Sequence, residues 1–329
     1  MSNTAEGEGL PPWATALVDG RPSRVLGLPG SLAIRMLPME GEMNPEEVKK
    51  VGVVGCGIMG SGIVEVCAKA GMDVVFVEVD EERAERGRQS IERSLGKAVE
   101  RGKLDEAGRD EALARISAST TVDDLADSDL IIEAVSEDLA TKLEVFRRLD
   151  ELTRPEVVLA TNTSSLPIAD LAAVTKRPDK VLGMHFFNPP PVMKLLELVR
   201  ALTTSDESVA FARGVSERLG KTAILAKDRA GFIVNMLLVP YLNSAIQMLD
   251  EGFATREDID TGVTLGLGHP MGPLTLTDLI GLDTALHVSN VLYDEFKDPI
   301  YSPPTLLKRM VSAGYLGRKT GRGFYEYDK

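Results

Sequence analysis

Histidine is scarce in this chain, with 3 in 329 residues, alongside 2 cysteines and 1 tryptophan. Two cysteines, Cys56 and Cys67, cannot build a disulfide framework, which suits a reducing compartment. They read as small packing residues, and no metal site is expected. Aromatic residues make up only 5 % of the chain, too few for a sugar- or nucleic-acid-stacking surface. Positive charge is short as well: 37 Lys and Arg stand against 50 Asp and Glu, a net charge of −13. Such a surface repels phosphate backbones and anionic lipids, so neither a nucleic acid nor a membrane is expected as partner. A phosphate-bearing ligand would have to be held by a local device that overcomes this field. No apolar run reaches about 18 residues, the length that crosses a bilayer. A soluble, cytoplasmic protein is the expectation.

What is present is ample apolar content, 43 %, in a chain long enough for two domains of ordinary size. Residues 1–46 stand apart, rich in Gly, Pro and Glu. Their one apolar stretch, VLGLPGSLAIRML, is broken by Gly and Pro, and Glu6, Glu8 and Asp19 fit no secretory or mitochondrial leader. They read as a flexible extension, upstream of a second possible start at Met43.

From Lys50 the pattern turns regular. VGVVG (51–55), DVVFVEV (73–79), LIIEAV (130–135), VVLATN (157–162) and VLGMHF (181–186) read as short, buried strands. Helical stripes alternate with them: Ile91, Leu95, Ala98 and Val99 in one, Leu139, Leu143, Phe146 and Leu149 in another. Alternation of this kind predicts an α/β fold, a Rossmann-type doubly wound and mainly parallel sheet. After Lys227 the strands stop. Residues 231–252 read as one long helix, apolar almost all round, as a buried or dimer-forming element would be. Residues 258–267 and 276–296 read as further helices. The chain therefore divides into residues 47–228, a nucleotide-binding domain, and 229–329, a smaller all-helical domain.

Gly55-Cys56-Gly57-Ile58-Met59-Gly60 matches GxGxxG. The string alone is weak; here it follows a strand, opens a helix and precedes a second strand ending in Glu78, which is the dinucleotide-binding context. Gly55 permits the tight turn, Gly57 a close approach of the pyrophosphate, and Gly60 close helix–strand packing. The helix N-terminus supplies amide donors and a positive dipole, the local device an acidic protein needs. Glu78 sits where a carboxylate accepts both ribose hydroxyls, and Asp80, Glu81 and Glu82 crowd the same corner. A 2′-phosphate would meet several negative charges there, so NAD is expected over NADP.

His185 opens HFFNPPPVMKLLELV (185–199). Imidazole is the side chain whose ordinary pKa suits a base near neutral pH. Twelve residues on, Glu197 can be brought beside it if Pro189, Pro190 and Pro191 turn the chain between two strands. A satisfied histidine at a strand end is the plainer alternative. Ser164 and Asn235 also have two readings: NTSS is good turn chemistry, and an Asn in an apolar helix can bond a neighbouring helix. His269 and His287 have no comparable partner and read as structural.

With NTSSL (162–166), HFFNPPPVMKLLELV, GFIVN (231–235), HPMGP (269–273) and GRKTGRGFY (317–325) in order, residues 50–329 resemble the L-3-hydroxyacyl-CoA dehydrogenase family, its short-chain 3-hydroxybutyryl-CoA branch most closely. The length suits a monofunctional form without a fused enoyl-CoA hydratase. The resemblance implies NAD as cofactor, an acyl-CoA thioester as substrate and a homodimer built from the helical domain. It implies His185 as the base, Glu197 as the carboxylate that holds and charges it, and Ser164 and Asn235 as the groups positioning the substrate oxygen. Glu137, Lys142 and Asn162 would line the nicotinamide side and the cleft. Ser94 and Arg101 would contact the CoA adenosine, Arg101 standing where the family often has lysine. Two rivals are a dehydrogenase of a free 3-hydroxy acid, as in the gulonate dehydrogenase and lambda-crystallin relatives, and a non-catalytic NAD-binding protein. Both fit less well with Ser164, His185, Glu197 and Asn235 present together.

Overall fold

The computed structural model describes residues 44–328; nearly all of the expected extension, residues 1–43, lies outside them. Eight strands form one sheet: β1 (Lys50–Val54), β2 (Asp73–Val77), β3 (Ile116–Ser119), β4 (Leu130–Glu133), β5 (Val158–Thr161), β6 (Val181–Phe186), β7 (Leu195–Arg200) and β8 (Thr222–Lys227). Their order is β3-β2-β1-β4-β5-β6-β7-β8. All neighbours are parallel except β6 and β7, which run antiparallel as the two arms of the proline turn. The switch point lies between β1 and β4, where the chain leaves one side of the sheet for the other; open α/β sheets bind ligands there.

The helices are α1 (Ile58–Lys69), α2 (Glu81–Glu100), α3 (Glu106–Ala114), α4 (Leu139–Leu152), α5 (Ile168–Ala173) and α6 (Asp206–Arg218), then α7 (Val234–Asp250), α8 (Arg256–Leu267), α9 (Pro273–Ile280), α10 (Leu282–Phe296) and α11 (Thr305–Ser312). Alternating strand residues feed two cores, one on each face of the sheet. Val51, Val53, Leu130 and Ile132 meet Ile63, Ile91 and Leu95 on one face. On the other face, Val54, Ile131 and Leu159 pack with Phe146 and Leu149 of α4. A third core, including Ile246, Leu274, Leu282 and Leu307, holds the C-terminal helices together. No helix among the described residues is long and apolar enough to cross a membrane.

Three features differ from the expectations. β3, with sequence ISAS, alternates over only four residues with Ile116 as its one large apolar side chain, and it is not among the strands the sequence predicts; it is held as an edge strand by its pairing to β2. The helix expected from residue 231 begins at Val234, because Gly231 and Phe232 both take left-handed backbone angles, φ 78° and 48°. The helix expected over 276–296 is two helices, broken at Gly281, whose φ of 102° is outside any helix. Burial pushes the thiols of Cys56 and Cys67 up to about 12, and both are free, as packing residues should be.

Candidate active site

The glycine loop joins β1 to α1. Gly55 has φ 89°, and a side chain there would press on the Ala134 carbonyl at 2.8 Å. At Gly60 a Cβ would lie 1.9 Å from the Gly55 oxygen, so the loop closes on the helix only without one. Nothing comes within 4 Å of a Cβ at Gly57, which leaves open space over the N-terminus of α1. A pyrophosphate group fits that cradle. Glu78, at the end of β2, is fixed by the Cys56 amide, which donates to Oε1 at 2.7 Å. The rest of this corner departs from the expected ring of acids. Asp80 turns back to cap α2, accepting from the Arg83 amide at 2.7 Å, and Glu82 pairs with Arg86 at 2.9 Å. Glu78 therefore shares the wall of the hollow with Arg83 and Arg86.

His185 and Glu197 are direct partners across the antiparallel pair β6–β7. His185 Nδ1 lies 2.7 Å from Glu197 Oε2, the histidine 7 % exposed and the glutamate 0 %. The carboxylate is not left to the histidine alone. The backbone amides of Ile233 and Val234, at the start of α7, donate to Glu197 Oε1 at 3.1 and 3.0 Å. One buried negative charge thus binds the ring and anchors a helix N-terminus, a favourable place for an anion. With Nδ1 committed, Nε2 is the nitrogen free to exchange a proton. The rings of Phe187 (4.7 Å between centroids) and Phe232 (5.4 Å) flank the imidazole. Phe232 holds its place through a left-handed backbone that costs on the order of 1 kcal/mol.

The proline turn between β6 and β7 is tied down from outside. Lys221, buried at the start of β8, donates to the carbonyls of Pro190 and Met193. On the opposite side a Cβ at Gly62 of α1 would meet Pro190 at 2.7 Å, so helix and turn touch.

A second network orders the NTSSL loop after β5. Glu137 Oε1 accepts from Thr163 Oγ1 at 2.6 Å, the Ser164 amide at 2.8 Å and the Ser165 hydroxyl at 3.2 Å. Burial raises the Glu137 carboxyl, but the Lys142 ammonium and these hydrogen bonds outweigh it and hold the group below the ordinary carboxylate value. Lys142 departs from the cleft-lining role expected of it. Its side chain is 1 % exposed, 2.6 Å from Glu133 and 3.5 Å from Glu137. Glu133, 0 % exposed, also accepts from Thr161 at 2.7 Å. Lys142 is therefore an internal strut under the loop, and Glu133 is the partner that the sequence did not suggest. Asn162 accepts from the Phe186 amide at 2.9 Å and fixes the loop to the end of β6.

These elements meet at a cavity of about 520 Å³. Gly57, Ile58, Met59, Glu137 and Asn162 line one side of it; His185, Ser164 and Asn235 also face it. Ser94 lies apart, in a smaller cleft of mixed lining between α1, α2 and the proline turn that shares Ile58 and Asn188 with the main cavity. Arg101 caps the C-terminus of α2, exposed, and is not among the residues lining that cleft. His287, read as structural, lines the main cavity from α10 with Thr284 and Val288. The spacing of 284, 285, 288 and 289 on one helical face was the available signal. His269 lies outside, its ring 5.9 Å from that of Tyr241.

A glycine cradle at the switch point, a strand-end carboxylate and a buried His–Glu pair on the cavity wall define a dinucleotide-dependent dehydrogenase. Comparison with known families narrows this. Residues 50–229 match the 3-hydroxyacyl-CoA dehydrogenase NAD binding domain and residues 231–327 the 3-hydroxyacyl-CoA dehydrogenase C-terminal domain. The chain belongs to the 3-hydroxyacyl-CoA dehydrogenase family, and NAD is its cofactor. It is 53 % identical to a 3-hydroxybutyryl-CoA dehydrogenase from Mycobacterium tuberculosis, over 86 % of this chain and 99 % of that one. It is 40 % identical to the mitochondrial hydroxyacyl-coenzyme A dehydrogenase of Homo sapiens, over 85 % of this chain and 91 % of that one. The crystal structure of an (S)-3-hydroxybutyryl-CoA dehydrogenase from Ralstonia eutropha matches with a TM-score of 0.81 at 48 % identity, covering 86 % of this chain and all of that one.

Proposed function

We propose that the chain interconverts short-chain (S)-3-hydroxyacyl-CoA thioesters, 3-hydroxybutyryl-CoA among them, with the corresponding 3-oxoacyl-CoA thioesters. The observation that carries the reading is the His185–Glu197 pair, held at 2.7 Å on the wall of a cavity that the dinucleotide loop also lines. The loop from Gly55 to Gly60 and Glu78 would hold NAD, which when bound would supply the hydride acceptor for C3. His185 Nε2 takes the 3-hydroxyl proton as the C3–O bond becomes a carbonyl, and Glu197 stabilises the imidazolium formed. Ser164 and Asn235 hold the substrate oxygen in line with His185, and Glu137 keeps the Ser164 loop in place. In the reducing direction His185 returns the proton to the alkoxide oxygen.

The division into residues 47–228 and 229–329 puts the base and cofactor loop on the first unit and Asn235 on the second. A homodimer in the cytoplasm completes the reading. Its support is the large apolar side chains left open on the helical part: Leu237 is 72 % exposed, Phe253 77 % and Leu265 80 %. Light scattering at micromolar concentration should give twice the chain mass; a monomer would remove this part of the proposal. The activity is tested by following NADH absorbance with acetoacetyl-CoA against free acetoacetate. Turnover of the thioester only is expected. Turnover of the free acid alone would favour the hydroxy-acid reading, and tight NADH binding with no turnover of either would make the chain a binding protein.

A further inference from the structure

The cavity, about 520 Å³, has more room than a four-carbon acyl group fills, and its lining changes character along α7. From Asn235, α7 presents Leu238, Val239 and Leu242 to the cavity and then Asn243. Eight residues of helix separate Asn235 from Asn243, a distance of about 12 Å. Asn243 is 6 % exposed, and Ser289, which joins it in lining the cavity from α10, is 2 % exposed. The Asn243 amide donates to the carbonyls of Tyr301 and Ser302 at 3.3 and 3.4 Å. The Ser289 hydroxyl donates to the Ala285 carbonyl at 2.8 Å and lies 3.3 Å from Asn243 Oδ1. The apolar lining along α7 thus gives way to a buried, hydrogen-bonded polar pair.

The chemistry of the other opening decides which part of a thioester would lie along α7. The cleft containing Ser94 brings Ser61, Ser90, Asn188 and Glu65, whose Oε2 has no hydrogen-bond partner, together with Ile58, Ile91 and the three prolines. It suits the amide-bearing arm of coenzyme A and is unsuited to a methylene chain, because burying apolar carbon against a partnerless carboxylate oxygen leaves that oxygen without a donor. The apolar arm is left for the acyl tail.

We propose that the arm along α7 is the acyl-tail channel and that Asn243 and Ser289 form its end stop, setting the longest chain the enzyme accepts. This rests on the acyl-CoA reading above. A chain advances roughly 1.2 Å per bond when extended, so about 12 Å holds about ten bonds beyond C3. Each methylene added inside the channel raises kcat/KM by up to about fourfold. Beyond the stop, a longer tail either displaces the polar pair or folds back.

The test is kcat/KM for the NADH-linked reduction of 3-oxoacyl-CoA esters from four to sixteen carbons, in wild type, Ser289→Ala and Asn243→Ala. Ser289→Ala is the milder change, and it keeps the test open if Asn243→Ala fails to fold. The proposal widens the short-chain reading: four-carbon esters remain substrates, and the expected wild-type profile holds to about twelve carbons and falls about tenfold by sixteen. In the variants the sixteen-to-four-carbon ratio should rise about threefold or more. A profile that falls steadily from four carbons, or variants that leave the ratio unchanged, would overturn the end stop while leaving the dehydrogenase intact. Absence of turnover with every ester would instead strike at the acyl-CoA reading itself.

Discussion

Replacing Glu197 with Gln changes one atom of a buried group, and the effect depends on the three donors around it. In the native protein both carboxylate oxygens accept: Oε2 from His185 Nδ1, and Oε1 from the Ile233 and Val234 amides. A glutamine has one acceptor and one donor end. If its oxygen stays with the two helix amides, its NH₂ faces Nδ1, which must then accept. The ring proton moves to Nε2, and the base is in the wrong tautomer. A histidine fixed in the wrong tautomer costs up to about 10⁴-fold in kcat. If the amide turns round, two buried N–H groups lose their partner, at about 1–3 kcal/mol each. The first arrangement is cheaper, so kcat for 3-hydroxybutyryl-CoA oxidation, the direction in which Nε2 must accept a proton, should fall about 10²–10⁴-fold. The melting temperature should change little, and NADH affinity should hold. Glu197→Ala, which strands all three donors, should in addition melt clearly lower. Because His185 and Glu197 act as a unit, the His185→Gln/Glu197→Gln double variant should be little slower than His185→Gln alone. Additive losses in that cycle, or a Glu197→Gln enzyme near wild-type speed, would refute the tautomer argument.

Glu78→Ala should weaken NADH binding by up to a few kcal/mol, the loss of two charge-assisted hydrogen bonds. It should also narrow the preference over NADPH, since Arg83 and Arg86 remain in that wall; equal wild-type affinity for both in a fluorescence titration would contradict this. Lys142→Met leaves the Glu133 charge alone at zero exposure and should cost about 3–5 kcal/mol in thermal or urea melts, much of it recovered by adding Glu133→Gln. A single variant melting with wild type would show that the pair is not the strut described. Glu137 is held below its ordinary value of 4.5, so its charge adds stability above that pH and loses it as the pH falls through the depressed value. The stability gap between wild type and Glu137→Gln should therefore be full at neutral pH and shrink in acid; a gap that widens on acidification would reverse the sign.

The features legible in the sequence are those whose signal is local. The glycine loop is read from residues flanked by a strand and a helix. The His185–Glu197 pairing is read because three prolines can hardly do anything but turn the chain between two apolar runs. The lysine strut was not legible, because Lys142 sits on α4 beside its apolar stripe and only the fold brings Glu133 under it. The acids after Glu78 misled for a similar reason: two of them are satisfied by their own helix, as a cap and an i,i+4 pair. The break at Gly281 lies within an otherwise helical pattern, where a single glycine can be tolerated at a cost of about 1 kcal/mol and does not by itself mark a helix end. His287 and Ser289 join the cavity because α10 packs beside α7, a long-range contact; the helical spacing of 284, 285, 288 and 289 marks a shared face but not what it packs against.

The central claim is that His185 moves the proton, and His185→Gln tests it most directly. Glutamine keeps a polar side chain of similar reach but offers no basic nitrogen. Single-turnover reduction of acetoacetyl-CoA by bound NADH should slow about 10²–10⁴-fold, with the NADH dissociation constant within a factor of about two of wild type. Near-normal turnover in that variant would return His185 to the role of a satisfied histidine at a strand end.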